Sequence, residues 1–182
     1  MKEDIINRIR SRIVADKGSI PFPPASEDAV IEVESSLGFK IPPLLRLIYL
    51  DVSNGGFGPA YGIIGVDGGR ASNLGTLAKA FTQMKLGSDY LGLEWKTGLL
   101  PFCEWGCNIF SCVDCNDPGH RVFQSETCQI FETSFTLEKF FELWLDDANL
   151  LDTRSLRRKT VEIINPFTGE KTRVSGTRKK SK

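Results

Sequence analysis

Leu100-Pro101-Phe102-Cys103-Glu104-Trp105-Gly106-Cys107-Asn108-Ile109-Phe110-Ser111-Cys112-Val113-Asp114-Cys115 holds four of the chain's five cysteines, and its reading decides the fold. Read as a metal site, it offers Cys112-x2-Cys115 at knuckle spacing, Cys103-x3-Cys107 as a looser pair, and His120 just beyond. A structural zinc needs four such ligands in a tetrahedron at about 2.0–2.3 Å, and two-knuckle sites leave a dozen or more residues between the pairs. Here only Asn108-Ile109-Phe110-Ser111 intervenes. With Val113 these residues read as a strand. Extended at about 3.3 Å per residue, the strand carries Cys107 and Cys112 about 16 Å apart, too far for one ion. Cys112 and Cys115 would also face opposite sides if the strand continued. The cysteines are therefore read as small packing residues, and no metal or other cofactor is expected.

A disulfide framework fares no better, because the cysteine count is odd. The opening Met1-Lys2-Glu3-Asp4 has no apolar leader, so no secretory signal is read and the thiols are expected to stay reduced. No apolar run approaches the length of about 18 residues that a membrane span needs. The expectation is a soluble, cytoplasmic protein.

At 182 residues and 41% hydrophobic, the chain can build one well-buried domain with room for an appendage. Its zero net charge hides an asymmetry. Residues 1–151 carry 13 Lys/Arg against 20 Asp/Glu, a charge of −7, whereas residues 152–182 carry 10 against 3, a charge of +7. The expected division is an acidic body over 1–151 and a basic tail over 152–182. Charge split in this way speaks to partners more than to fold.

Outward from the cysteine segment, elements can be read on both sides. Ile5, Ile6, Ile9 and Ile13 recur at helical spacing, with Gly18 at a C′ position. Ser19 to Ala25, with three prolines, reads as a stiff connector. Ser26 is a predicted N-cap with Glu27 and Asp28 in the first turn; Val30, Val33 and Leu37 form the buried face, and Gly38 ends the helix. Ile41-Pro42-Pro43 starts a densely apolar, central helix that Asn54-Gly55-Gly56 closes. Tyr61–Val66 reads as a strand and Asp67-Gly68-Gly69 as a turn. A helix is predicted over Leu74–Met84, with Leu77, Ala78, Phe81 and Met84 on one side.

Strands are predicted at Leu99–Cys103, Asn108–Asp114, Arg121–Ser125 and Gln129–Glu132, with a turn at Asn116-Asp117-Pro118-Gly119. Ser134 or Thr136 opens a last helix whose face is Leu137, Phe140, Phe141, Trp144 and Leu145. Helices, then consecutive short strands, then a helix argue for an α+β fold with a mostly antiparallel sheet of five or six strands. In the tail, Thr160–Ile164 and Lys171–Val174 flank a turn-like 165–170 and suggest a hairpin, and Gly176–Lys182 is expected to be disordered.

Taken together, Pro24-Ala25-Ser26-Glu27, Glu34 to Gly38, Ile41-Pro42, Asn54-Gly55-Gly56, the run from Leu100-Pro101-Phe102 to Asp114 and the Ser134–Leu145 helix resemble the SUKH superfamily, the Smi/Knr-type domains. The resemblance spans roughly residues 20–147. Cys-Glu-Trp-Gly-Cys is similar to the wording of a bacterial branch. The resemblance implies an α+β domain that binds proteins and has no shared catalytic residues. Bacterial members are mostly immunity proteins that bind and neutralise a cognate toxin. Pro42, Asn54, Gly55, Leu100, Pro101 and Gly106 match positions that act as fold determinants.

Four readings of function follow. The favoured one is a non-catalytic immunity protein whose acidic body meets a basic toxin domain, through Asp51, Asp67, Glu104, Trp105, Asp114 and Asp117. A scaffold or regulator of the Smi/Knr type, unrelated to toxins, is its alternative. A thiol enzyme would need a cysteine paired with His120, the one histidine, and no third orienting group can be named. Nucleic-acid binding would rest on Arg154, Arg157, Arg158, Lys159 and the Arg178–Lys182 cluster, which lack aromatic residues for base stacking. An intramolecular alternative has the tail fold against the acidic body. No membrane partner is expected, and the sequence leaves the oligomeric state open.

Overall fold

Local chemistry sets the helix boundaries. The computed structural model describes residues 2–16, 20–151, 161–164 and 171–174. Helix α1 covers Lys2–Ala15, with Glu3 and Asp4 in its first turn. Helix α2 covers Glu27–Leu37; the Ser26 hydroxyl accepts from Ala29 N, and Gly38, at φ +77°, closes it by donating to Glu34 O. Such a cap contributes about 1 kcal/mol. Helix α3 covers Pro43–Asp51 and follows Pro42, whose ring suits a helix start. It stops three residues before Asn54. Predicted features at Gly18 and Ser19 lie outside the described residues.

Two elements differ from expectation. Helix α4 runs over Leu77–Tyr90, later at both ends than predicted, because Ser72 to Gly75 forms its own tight turn. Ser72 N donates to Gly75 O at 2.9 Å and Gly75 N returns a bond to Ser72 O at 3.0 Å. Farther along, Met84 and Ser88 are buried and keep the helix on the core to Tyr90. Tyr61–Val66 contributes only a two-residue strand, β1 Gly62–Ile63.

Strands β2 Leu99–Gly106, β3 Ile109–Asp114, β4 Arg121–Glu126 and β5 Gln129–Thr136 join β1 in one antiparallel sheet of order β1-β2-β3-β4-β5. The fold is α+β. Two-residue turns close the β2–β3 and β4–β5 hairpins, at Cys107-Asn108 and Thr127-Cys128, all four at positive φ. Asn108 therefore belongs to a turn and not to the predicted strand. Such primed turns match the twist of the flanking strands. Strand β5 runs to Thr136, so Ser134 is a strand residue and Thr136 caps helix α5, Leu137–Leu145.

Strand β2 carries bulges at Pro101/Cys103 and Glu104/Gly106, which accommodate a proline in a strand paired on both sides. Its six buried residues, Leu99 to Glu104, do not alternate with exposed ones, so both faces of the sheet are covered there. Phe102 packs edge-on to Phe140 at 4.9 Å between centroids, and Phe140 to Phe141 at 5.5 Å. Phe57 meets Trp144 at 5.8 Å. The predicted faces of α2, α3 and α5 all supply core residues: Val30, Val33, Leu45, Ile48, Phe140 and Phe141 are buried.

The chain divides into two compact units, Met1–Leu150 and Leu151–Lys182. In the second, β6 Val161–Ile164 pairs antiparallel with β7 Lys171–Val174, in register from Val161↔Val174 to Ile164↔Lys171. The expected hairpin is thus present. Its connecting residues 165–170, Thr160 and the Gly176–Lys182 end lie outside the described residues.

Candidate binding surface

The six residues expected to form a binding surface scatter. Asp51 and Asp67 are exposed, one at the end of α3 and one in the turn after β1. Asp67 accepts a 2.5 Å hydrogen bond from Thr76 and lies near buried Asn54, whose Nδ2 donates to Asp67 O. Glu104 and Asp114, by contrast, are 6% and 2% exposed. Their expected exposure is corrected by the sheet: both lie in strands covered on both sides, and each is neutralised locally. Glu104 pairs with Arg70 at 2.8 Å and also accepts from Asn73 N. Asp114 pairs with Lys96 at 2.6 Å, whose ammonium also sits 4.9 Å over the Phe123 ring. Asp117 is half-buried; the Arg121 backbone N–H and guanidinium hold its carboxyl below the ordinary value.

Trp105 is the sixth. It is half-buried at a β2 bulge, with its indole N donating to Ser111 Oγ at 2.8 Å. It lines a groove of about 330 Å³ with Arg12, Asp16, Pro59, Trp144 and Asp147. Helix α1 delivers Arg12, which forks onto Asp147 at 2.5 and 3.1 Å and lies 5.9 Å over the Trp144 ring. The fork holds the Asp147 carboxyl below its ordinary value and raises the guanidinium. Two indoles and an arginine in one groove are the residue types that dominate protein interfaces. Sequence reading placed Trp144 on the core face of its helix and gave Arg12 no role; their meeting depends on how α1 and α5 pack, which no local pattern encodes.

The matched fold positions sit at structural pivots. Asn54 is buried, accepts from Val66 N at 2.8 Å and carries the chain into Gly55, at φ +83°, where a Cβ would stand 2.6 Å from Ile63 O. Gly106, at φ +87°, lets the Tyr61 ring lie against the backbone, with a Cβ only 2.6 Å from Tyr61 Cε2. Pro42 precedes α3, and Leu100 and Pro101 are buried in β2.

The cysteines do not converge with His120. Cys103 and Cys112 are buried within the sheet, and burial pushes both thiols up. Burial also pushes Cys115 up to about 12. Cys107 is exposed at the hairpin tip, and Cys128 Sγ contacts Met84 O at 3.7 Å. His120, at φ +47°, lines a separate cleft of about 340 Å³ with Pro43, Gly119, Leu137 and Glu138. Among the described residues no hydrogen bond joins it to a cysteine. No group of three or more His, Cys, Asp or Glu among the described residues is placed to hold a metal ion. A thiol held protonated is a poor nucleophile and a poor metal ligand.

An antiparallel five-stranded meander, packed with helices from both sides of it in sequence and carrying an aromatic groove, defines the class: an α+β domain. The particular family follows from the sequence match. The chain belongs to the SMI1 / KNR4 family (SUKH-1), which matches residues 24–147. A search of curated proteins finds no match. No described helix is long and apolar enough to cross a membrane.

Proposed function

We propose that this chain is a non-catalytic protein-binding domain, and that its partner is a basic toxin domain that it neutralises as an immunity protein. The observation that supports this reading is the distribution of charge on the body. Arg8, Arg12, Lys40, Arg46, Arg70, Lys96, Arg121 and Lys139 are all engaged in ion pairs with acids of the same unit. Asp28, Glu32, Asp51, Asp89, Glu94 and Glu126 are exposed and, among the described residues, have no ion pair. These acids outnumber the exposed cations without an ion pair among the described residues, Arg10, Lys79 and Lys85, so the charge facing solvent is net negative. Such a field steers a basic partner and raises its association rate. The chemistry expected of a thiol enzyme has no support in Cys103, Cys112 and Cys115, whose burial keeps them protonated, nor in a hydrogen bond from His120 to any cysteine among the described residues.

Stopped-flow mixing of the full chain with a toxin domain encoded in its gene neighbourhood tests the reading. Association is expected to slow at least tenfold as salt rises from about 50 to 500 mM, as the Debye length shrinks. A salt-independent rate, or no complex, contradicts it.

A further inference from the structure

The two edges of the five-stranded sheet are unlike. Edge strand β1 is two residues long, and the chain covers it itself: Ile63 N donates to Phe57 O at 2.6 Å, and Ile63 O accepts from Gly56 N at 3.1 Å. Edge strand β5 is eight residues long. Glu126 and Gln129 flank a two-residue turn and so form a hydrogen-bonded pair of the ladder. The pairs alternate from there through Ser125↔Ile130, Gln124↔Phe131 and Phe123↔Glu132. The N–H and C=O of Ile130 and Glu132 therefore point away from β4. Among the described residues, no backbone group bonds to them.

Unpaired edge groups are a template for another strand, and proteins blunt them with proline, lysine, bulges or inward charge. Gln129-Ile130-Phe131-Glu132 has none of these devices. Its one charge, Glu132, is exposed and already neutralised by Arg121 at 3.0 Å, and the irregularity in the ladder comes after it. Ile130 and Phe131 are half-buried.

The stretch is also complementary to itself. Antiparallel pairing with an identical stretch must bring outward-pointing residues opposite one another. Centred on Glu132, the pairing would oppose two like charges. Centred on Ile130, it would leave Glu132 opposite the turn residue Cys128. Centred on Phe131, it sets Ile130 opposite Glu132 and Glu132 opposite Ile130, with the two phenylalanines side by side on one face. That register uses the outward groups of both residues in both strands and opposes no like charges. The full chain has a formal net charge of zero, so two copies are not held apart.

We infer that this chain self-associates through β5, two copies pairing edge to edge about a twofold axis at Phe131 so that their sheets join into one. Such a contact is isologous and closes on itself. This surface is additional to the toxin-binding one and does not depend on it.

Sedimentation equilibrium of the full chain is expected to show a mass that rises with concentration from 20.3 kDa toward twice that value. Ile130→Glu sets a carboxylate opposite each Glu132 and is expected to weaken association about tenfold, whereas Ile130→Lys is expected to hold or strengthen it. Adding Glu132→Lys to Ile130→Glu is expected to restore association. Ile130→Pro removes one outward N–H from each strand, where an edge tolerates proline. It is expected to weaken association about tenfold with little change in melting temperature. The Ile130 and Glu132 amides are expected to exchange faster with solvent in dilute chain than in concentrated chain. If Ile130→Pro fails to fold, the charge variants carry the test. A chain that stays monomeric at every concentration overturns the edge pairing, and so does a dimer that Ile130→Glu and Ile130→Lys leave equally tight. Either result leaves the toxin-binding reading standing, because the salt dependence of association with the toxin domain decides that one.

Discussion

Glu104 shows what a single residue contributes inside this sheet. Its side chain is 8% exposed and its partner Arg70 16%, and one guanidinium nitrogen, Nη1, is already buried without an acceptor. Removing the carboxylate would leave the whole guanidinium unpaired in a largely dry site. Glu104→Ala is therefore expected to cost about 3 kcal/mol, read by urea denaturation; a loss well under about 1 kcal/mol would contradict the pairing. The buried thiols make a second residue-scale prediction. Their folded pKa values lie above the ordinary thiol value, with Cys115 up to about 12. Above the unfolded thiol value of about 8.5, the unfolded chain sheds protons that the folded one keeps, so stability falls with rising pH. The melting temperature should drop between about pH 8.5 and 11, and a Cys112→Ala variant should show a shallower drop. Alkylation of the native chain should label exposed Cys107 first. Rapid labelling of Cys103 or Cys112 would contradict their burial.

At the scale of elements, much was legible because the signals are local. Ser26, Gly38 and Pro42 mark helix ends through capping and φ preference, and each sits at or beside the boundary it implies. Errors fell where a boundary depends on neighbours. Helix α4 extends past Met84 because Ser88 is buried, which only the assembled core decides. The two hairpin turns lack the glycine that usually announces them, so the sequence pattern places Asn108 in a strand. Thr127 is the costliest of these positions, a β-branched residue at φ +49°. Thr127→Gly is expected to raise stability by about 1 kcal/mol. Destabilisation by that substitution would place the turn in another conformation. The same logic explains the site. Trp105 stands out from its own sequence context, whereas Arg12 and Trp144 join it only through the packing of α1 and α5. Glu104 and Asp114 differ from expectation because an acidic residue in a strand signals solvent unless its cation, here Arg70 or Lys96, is known.

For the whole molecule, the cysteine segment proves to be the second and third strands of the five-stranded sheet, central to the core of a SMI1 / KNR4 family domain. Charge acts at this scale. Most of the described cations of the body are paired internally, while Arg10, Lys79 and Lys85 are exposed without an ion pair and are outnumbered by unpaired acids. Cys103, Cys112 and Cys115 are held protonated by burial, whereas Cys107 lies exposed at a hairpin tip. The most direct measurement is survival of cells expressing a toxin domain encoded in this chain's gene neighbourhood. Co-expression of the full chain is expected to restore growth, and the Trp105→Ala variant to restore it less. Equal survival with and without the chain would contradict the account.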